Sequence, residues 1–333
     1  MITKTALVAV TIFSSAAALT LNSAIAAPAG LSSYVLQQQF SLGAPTKWDY
    51  ADIDSVRHRL YLSRGDHVQV LDLPSGQQVA NIANTKGVHG IAFAQDLKLG
   101  FTSNGASNSV TVFDLDTMQT KAEIKLSGIN PDAIFYEPAS HKLFTFNGKS
   151  KDVSVIDAIK LTEIASIKVT GKPEFAVSDG AGKIYLNIED NAGINVIDVA
   201  SNTLVSKWPL SGCEEPTGMA IDTVNARLFS TCQNKIMAVT DAKTGKRVAD
   251  VAIGEHPDAA IFDAETATIF TSNGGGTGTL TVIHQDDANH YSVVANVPTN
   301  KGARTMAMDH SSNTIYLPTI MNNMFTVLVV SKK

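Results

Sequence analysis

Short apolar runs, each carrying one aromatic residue, return along this chain at a nearly fixed interval. The aromatics are Tyr61, Phe101, Phe144, Tyr185, Phe229, Phe270 and Tyr316, at steps of 40 to 46 residues. Each sits in a strand-like stretch such as Leu60-Tyr61-Leu62-Ser63 or Ile269-Phe270-Thr271. A second series follows the first. Val68-Gln69-Val70-Leu71-Asp72, Val110-Thr111-Val112-Phe113-Asp114, Val153-Ser154-Val155-Ile156-Asp157 and Ile194-Asn195-Val196-Ile197-Asp198 place apolar residues at period two, rich in β-branched types. That pattern is what a strand packed between two layers requires. Self-similarity at about 40–45 residues is the signature of four-stranded propeller blades. The pattern therefore predicts an all-β chain, a seven-bladed β-propeller of four-stranded antiparallel blades. The units fall near 45–83, 84–126, 127–169, 170–210, 211–253, 254–297 and 298–330.

The last unit offers three strands before Lys333, and none for a fourth. Upstream of the first unit, Tyr34, Leu36, Phe40 and Leu42 alternate with Val35, Gln37, Gln39 and Ser41. A strand over 33–42 that paired with the last blade would close the ring and remove an exposed sheet edge. Between second and third strands lie Gly- and Asn-rich stretches, Ser103–Asn108 and Asn273–Gly278. These residues tolerate the positive φ of tight hairpins. The run of glycines lacks the Lys-Ser/Thr and the helix start of a phosphate-binding loop. The acids that end the third strands, Asp72, Asp114, Asp157, Asp198 and Asp241, read as turn formers that accept hydrogen bonds from the following backbone.

Composition changes this picture at the N-terminus. Lys4, the apolar stretch from Ala6 to Leu21 and the small-x-small triplet Ala24-Ile25-Ala26 have the form of a secretory signal peptide. The expected organisation is a signal peptide over 1–26 and one propeller domain over 27–333, with a periplasmic or secreted location. No later segment is long and apolar enough for a membrane-spanning helix. Removing 1–26 leaves 25 basic against 31 acidic residues, a net charge of −6 with histidine neutral. A mildly acidic chain argues against general nucleic-acid or anionic-membrane binding. The two cysteines, Cys213 and Cys232, fall before the first strand and at the end of the second strand of one unit, ends that meet in a hairpin. In an exported chain they are expected to form a disulfide. No Cys-x-x-Cys or Cys/His metal spacing occurs, and no Gly-x-Ser-x-Gly elbow.

The runs Val-Ser-Val-Ile-Asp at 153–157 and Phe-Thr-Ser-Asn at 101–104 and 270–273 resemble the YVTN-type, or surface-layer-type, β-propeller repeat family. The resemblance covers essentially all of the expected mature chain. It implies fold and export. It does not imply an activity, because the shared motif is a folding motif. Related propellers include cofactor-bearing dehydrogenase subunits and haem-binding reductase domains, and none of their cofactor motifs is present.

In a propeller the first strand of every blade lines the central channel, and the residues leading into it ring one mouth. Aligning the units puts Asp49, His89, Asp132, Glu174, Thr217, Asp258 and Arg304 in register, with Trp48 alongside. Unlike the third-strand acids, this position changes type from blade to blade, as a ligand site or a solvated rim would. The proposed ligand-binding set is Asp49, His89, Asp132, Glu174, Asp258 and Arg304. The acids suit a cation, an amine or a cationic peptide, and Arg304 suits a carboxylate. Among them His89, Asp132 and Glu174 form the subset most suited to a divalent cation. His256, beside Pro257-Asp258, is a reserve candidate; His58, His67, His141, His290 and His310 belong to turns and strand ends.

Two functions stay open. One is a binding or scaffold protein, without resident cofactor, that presents a polar funnel to a protein, peptide or small molecule. The other is a lactonase, lyase or dehydrogenase-accessory enzyme with a metal- or cofactor-assisted site in the funnel. A closed ring needs no partner to protect its edges, so a monomer is expected.

Overall fold

The computed structural model describes Met1 and residues 34–333. The expected signal segment, apart from Met1, lies outside the described residues. From Tyr34 onward the chain forms seven four-stranded antiparallel sheets. In the first six, strands follow in sequence order. The second blade is typical, with Val88–Ala94, Leu99–Asn104, Ser109–Asp114 and Thr120–Lys125. The seventh blade joins both ends of the fold. Its first three strands are Ala307–Asp309, Thr314–Met321 and Met324–Lys332, and its outermost strand is Tyr34–Ser41. Tyr34 pairs with Lys332 and Ser41 with Thr326. The closure expected from the amphipathic N-terminal segment is thus observed, with one difference in detail. The register shifts between Leu36 and Gln38. A bulge changes which face later side chains meet, and Leu36, the last residue before it, is exposed although strict alternation would bury it.

The core is distributed. Among the described residues seven apolar clusters occur, one between each pair of neighbouring blades, including the seventh and first. The recurring aromatic is the centre of each interface: Tyr61, Phe101, Phe144, Phe229 and Phe270 are fully buried. Rings meet across blades, as in Tyr61 with Phe93 at 4.8 Å and Phe229 with Phe262 at 5.5 Å between centroids. Offset and tilted contacts of this kind add to the stabilisation from burial.

The Phe-Thr-Ser-Asn run has a physical reason at every position. Phe101 fills the interface. Thr102 Oγ1 donates to Asn104 Oδ1 at 2.9 Å. Ser103 Oγ reaches the carbonyl of Asp132 in the next blade. Asn104 Nδ2 donates to Thr111 Oγ1 on the third strand at 2.9 Å. The copy at 270–273 repeats this, with Ser272 Oγ on the carbonyl of Arg304 and Asn273 Nδ2 on Thr281 Oγ1 at 3.0 Å. The motif binds strand to strand and blade to blade. The third-strand acids act as turn formers: Asp114 Oδ1 accepts from the Thr117 amide, and Asp241 Oδ1 from the Thr244 amide, both at 2.8 Å. Cys213 and Cys232 are bonded, with Cα atoms 5.3 Å apart, tying the lead-in of the fifth blade's first strand to the end of its second. A closed loop of this size stabilises by about 3 kcal/mol.

Candidate functional site

The mouth residues are positioned through their backbones. Oxygens and amides of one blade grip the segment that enters the next. Within the first blade, the Asp49 amide donates to Ser63 Oγ of the second strand at 2.8 Å. Ser103 and Ser272 take the carbonyls of Asp132 and Arg304. Asn187 Nδ2 donates to the Thr217 carbonyl at 2.9 Å, and Thr217 Oγ1 to the Pro257 carbonyl at 2.8 Å. Thr305 Oγ1 donates to the Asp49 carbonyl at 2.6 Å, across the junction where the ring closes. Buried polar groups satisfied in this way hold a fixed geometry.

From this frame the side chains converge as the register predicts, in two networks. Around the first, His89 Nδ1 lies 2.6 Å from Asp49 Oδ2 and 3.7 Å from Asp132 Oδ1. Arg304 Nη2 lies 3.2 Å from Asp49 Oδ1, and its Nε lies 3.2 Å from Asp258 Oδ2. The second network belongs to the fourth blade. There Lys172 Nζ lies 2.6 Å from Glu174 Oε1 and also contacts Glu189. Thr217 faces the wall instead: it is buried and bonded to Thr231 Oγ1 and the Pro257 carbonyl.

The three groups whose ligand atoms lie within 4.8 Å of one another are Asp49, His89 and Asp132. Among the described residues they form the cluster able to hold a metal ion. The expected subset of His89, Asp132 and Glu174 differs from this by one residue. Blades one, two and three are neighbours at this level, and Glu174 is drawn instead to Lys172 and Glu189. Lys172 and Glu189 were missed by the sequence register because neither occupies the lead-in position. Lys172 precedes it by two residues, and Glu189 follows the second strand of the same blade. The signal available was Gly171-Lys172-Pro173-Glu174, a charged pair straddling the proline that starts a first strand. The reserve candidate His256 sits on the rim, its Nδ1 3.1 Å from Gln233 Oε1.

These side chains enclose a polar cavity of about 430 Å³. Tyr50 forms part of its wall, and crosses the channel to Phe175 at 5.8 Å between ring centroids. An open groove of about 800 Å³ adjoins it, sharing Asp49 and Arg304 and lined by Trp48, His89 and Asn130. Five carboxyl groups, Asp49, Asp132, Glu174, Glu189 and Asp258, face two cations, Lys172 and Arg304, with the His256 imidazole on the rim and that of His89 in the adjoining groove.

Crowding of acids shows in their proton affinity. Burial, with the negative charge of Asp49, Asp132 and Glu189, pushes Asp258 up to about 7 against the pull of Arg304. Burial likewise pushes Asp132 up to about 6; Asp49 adds to the rise, and His89 opposes it. Glu174 is raised well above the carboxylate range by burial and by a hydrogen bond shared with Glu189, and Glu189 is correspondingly lowered. Burial works against a charged His89, but the Asp49 hydrogen bond and the Asp132 charge prevail and raise its pKa. Raised acids crowded in a cleft are found at binding and catalytic sites and in structural ion-pair networks alike.

No protein-family model matches the chain. Antigen Lp49 of Leptospira interrogans is 29% identical over 136 residues, which are 39% of this chain and 30% of that protein. This chain thus aligns with under a third of the length of that relative. Among solved structures, a chain of hydrazine synthase from Kuenenia stuttgartiensis superposes with a TM-score of 0.75 at 16% identity, covering 86% of this chain and 96% of its own. A chain of the mitotic checkpoint complex gives 0.78 at 12% identity, covering 98% and 99%. U3-55K gives 0.76 at 8% identity, covering 87% and 98%. At these identities the likeness is one of fold, and a propeller fold hosts many functions.

Proposed function

We propose that this protein is an exported β-propeller that binds a cationic group, an amine on a small molecule or peptide, in the acidic mouth of its central channel. The observation that carries this reading is the excess of carboxyl groups over cations there. Acids held this close store an unmet demand for positive charge, which an incoming ammonium answers without rearranging the blades. Charge-assisted hydrogen bonds in a partly desolvated cleft are the strong ones. The adjoining groove, with Trp48 at its edge, gives room for the body of such a ligand. Export is supported by the sequence pattern over 1–26 and by the Cys213–Cys232 disulfide, which suits an oxidising compartment. The repeated strand motifs, with the propeller fold, support a place among YVTN-type propellers.

Isothermal titration with spermidine as the probe tests this. Asp132 and Asp258 lose their protons as pH rises through about 6 and 7, and His89 loses its positive charge in the same direction. Binding is therefore expected to tighten between about pH 5 and pH 8, and to weaken at least about tenfold in Asp132→Asn and Asp258→Asn. An absence of saturable binding at pH 8, or binding indifferent to both substitutions, overturns the proposal.

A second reading rests on the Asp49–His89–Asp132 cluster, which offers two carboxylates and an imidazole to a divalent cation. Arg304, 3.2 Å from Asp49, repels a doubly charged ion at that point more strongly than a singly charged ammonium, which ranks the amine first. Lactonase or lyase chemistry in the funnel would need that ion. Titration with Mn²⁺ and Zn²⁺ against His89→Ala separates the two readings, because an amine site keeps most of its acids in that variant.

A further inference from the structure

Beyond Tyr50 the channel holds a second chamber, of about 440 Å³, farther along the first strands. Its character is opposite to that of the mouth. Phe135, Phe175, Ile134, Ile261, Met306 and Met308 contribute to its walls. Within it lies one carboxylate. Counting from the mouth positions, the third residue along each first strand is Asp52, Ala92, Phe135, Val177, Ala220, Ile261 and Ala307. Six are apolar and one is an acid. Asp52 accepts a hydrogen bond from the Ile53 amide at 2.7 Å. Among the described residues, no lysine, arginine or histidine pairs with it. The turn-forming role that explains Asp54, two residues on, does not apply to Asp52: Asp54 Oδ1 takes the amides of Val56 and Arg57 at the end of the strand, whereas Asp52 lies inside it. His310 also lines the chamber, but its Nδ1 is turned to Asp263 at 3.7 Å.

We propose that this chamber is a second ligand site, separate from the mouth, which takes a small apolar amine with its ammonium on Asp52 and its hydrocarbon or aryl body against the Phe and Met walls. An unpaired charge among apolar groups is destabilising unless a counter-charge arrives. Burial accordingly pushes the Asp52 carboxyl up to about 7. A primary ammonium answers that charge with hydrogen bonds, and the neighbouring rings of Tyr50, Phe135 and Phe175 attract a cation through their faces. Methionine walls adapt to the shape of the body. The size suits a molecule of one or two rings, since ligand cavities run from about 300 to 1,000 Å³. The mouth has five acids and wants charge; this chamber has one acid and wants charge joined to apolar surface.

Titration calorimetry on the full chain at about pH 8, where Asp52 is ionised, uses 2-phenylethylamine and its neutral counterpart 2-phenylethanol. The amine is expected to bind saturably, at least about tenfold tighter than the alcohol. In Asp52→Asn that preference is expected to vanish, while the response of the mouth to spermidine stays as in the parent. Ser178→Trp, which places a large side chain at a lining position, is expected to abolish binding of both compounds. No saturable binding of the amine, equal affinity for amine and alcohol, or an amine preference that survives Asp52→Asn each overturns the proposal. The last outcome would assign the amine to the mouth, so failure here is distinguishable from failure there.

Discussion

At the residue scale, Asp258 shows what the mouth costs the fold. In an unfolded chain its carboxyl ionises near 3.8, whereas in the ring burial holds the proton until about 7. Between those values the folded state binds more protons than the unfolded state, so stability falls as pH rises from about 4 to 7 and then levels. Asp132 acts in the same direction up to about 6. Asp258→Asn removes that loss, and the Asp258 side chain is 25% exposed, which moderates it. The variant is therefore expected to be more stable than the parent at pH 8 by on the order of 1 kcal/mol, with little difference near pH 4. Urea denaturation at the two pH values measures this. Lower stability of the variant at pH 8 would mean that the Arg304 contact outweighs burial.

At the scale of elements, the interblade clamps connect stability to the site. Ser103 Oγ accepts from the Gly90 amide at 2.9 Å and donates to the Asp132 carbonyl. Ser103→Ala leaves a buried amide and a carbonyl without that partner, at a cost of about 1–3 kcal/mol. It also frees the segment carrying Asp132, so spermidine affinity is expected to fall although no mouth side chain has changed. Thermal denaturation together with titration calorimetry reads both effects; a stability loss with unchanged affinity would show that the clamp does not position Asp132. These clamps also mark what the sequence made legible. The period of the aromatics and the Val/Ile alternation revealed the blades, because every copy faces the same packing demand. The lead-in register brought Asp49, His89, Asp132, Glu174, Asp258 and Arg304 to one mouth, because the ring maps one sequence offset onto one level of the channel. Lys172, Glu189 and Tyr50 stayed hidden. The first two reach the mouth from outside that offset, and the third acts by crossing the channel to Phe175, a contact between blades one and four that no local pattern encodes. Asp52 was not singled out from the sequence, although the same alignment carries the signal, one acid among six apolar residues at its offset.

At the scale of the whole molecule, both chambers depend on the ring being shut. The strand Tyr34–Ser41 supplies the outer edge of the seventh blade, and Tyr34 packs edge-on to Phe270 of the sixth at 5.0 Å. The backbone continues the seal: the Leu42 amide donates to the Phe325 carbonyl at 2.8 Å, and the Phe325 amide to the Gly43 carbonyl at 3.0 Å. The next turn of chain carries Trp48, Asp49 and Tyr50, so the strand that closes the ring also delivers one wall of the mouth and the divider between the two chambers. Deleting residues up to 43 strips the seventh blade of its fourth strand, leaving Met324–Lys332 as an unpaired apolar edge, a template for aggregation. That truncation is expected to give loss of cooperative unfolding and a rise in oligomers by light scattering. Moving residues 33–43 behind Lys333 through a flexible linker restores the pairing without the covalent path from strand to mouth. The permuted chain is expected to regain a single unfolding transition. If closure acts on the sites only through blade pairing, it also regains spermidine binding; a permutant that folds and fails to bind would place the tether from Ser41 to Asp49 itself in the construction of the mouth.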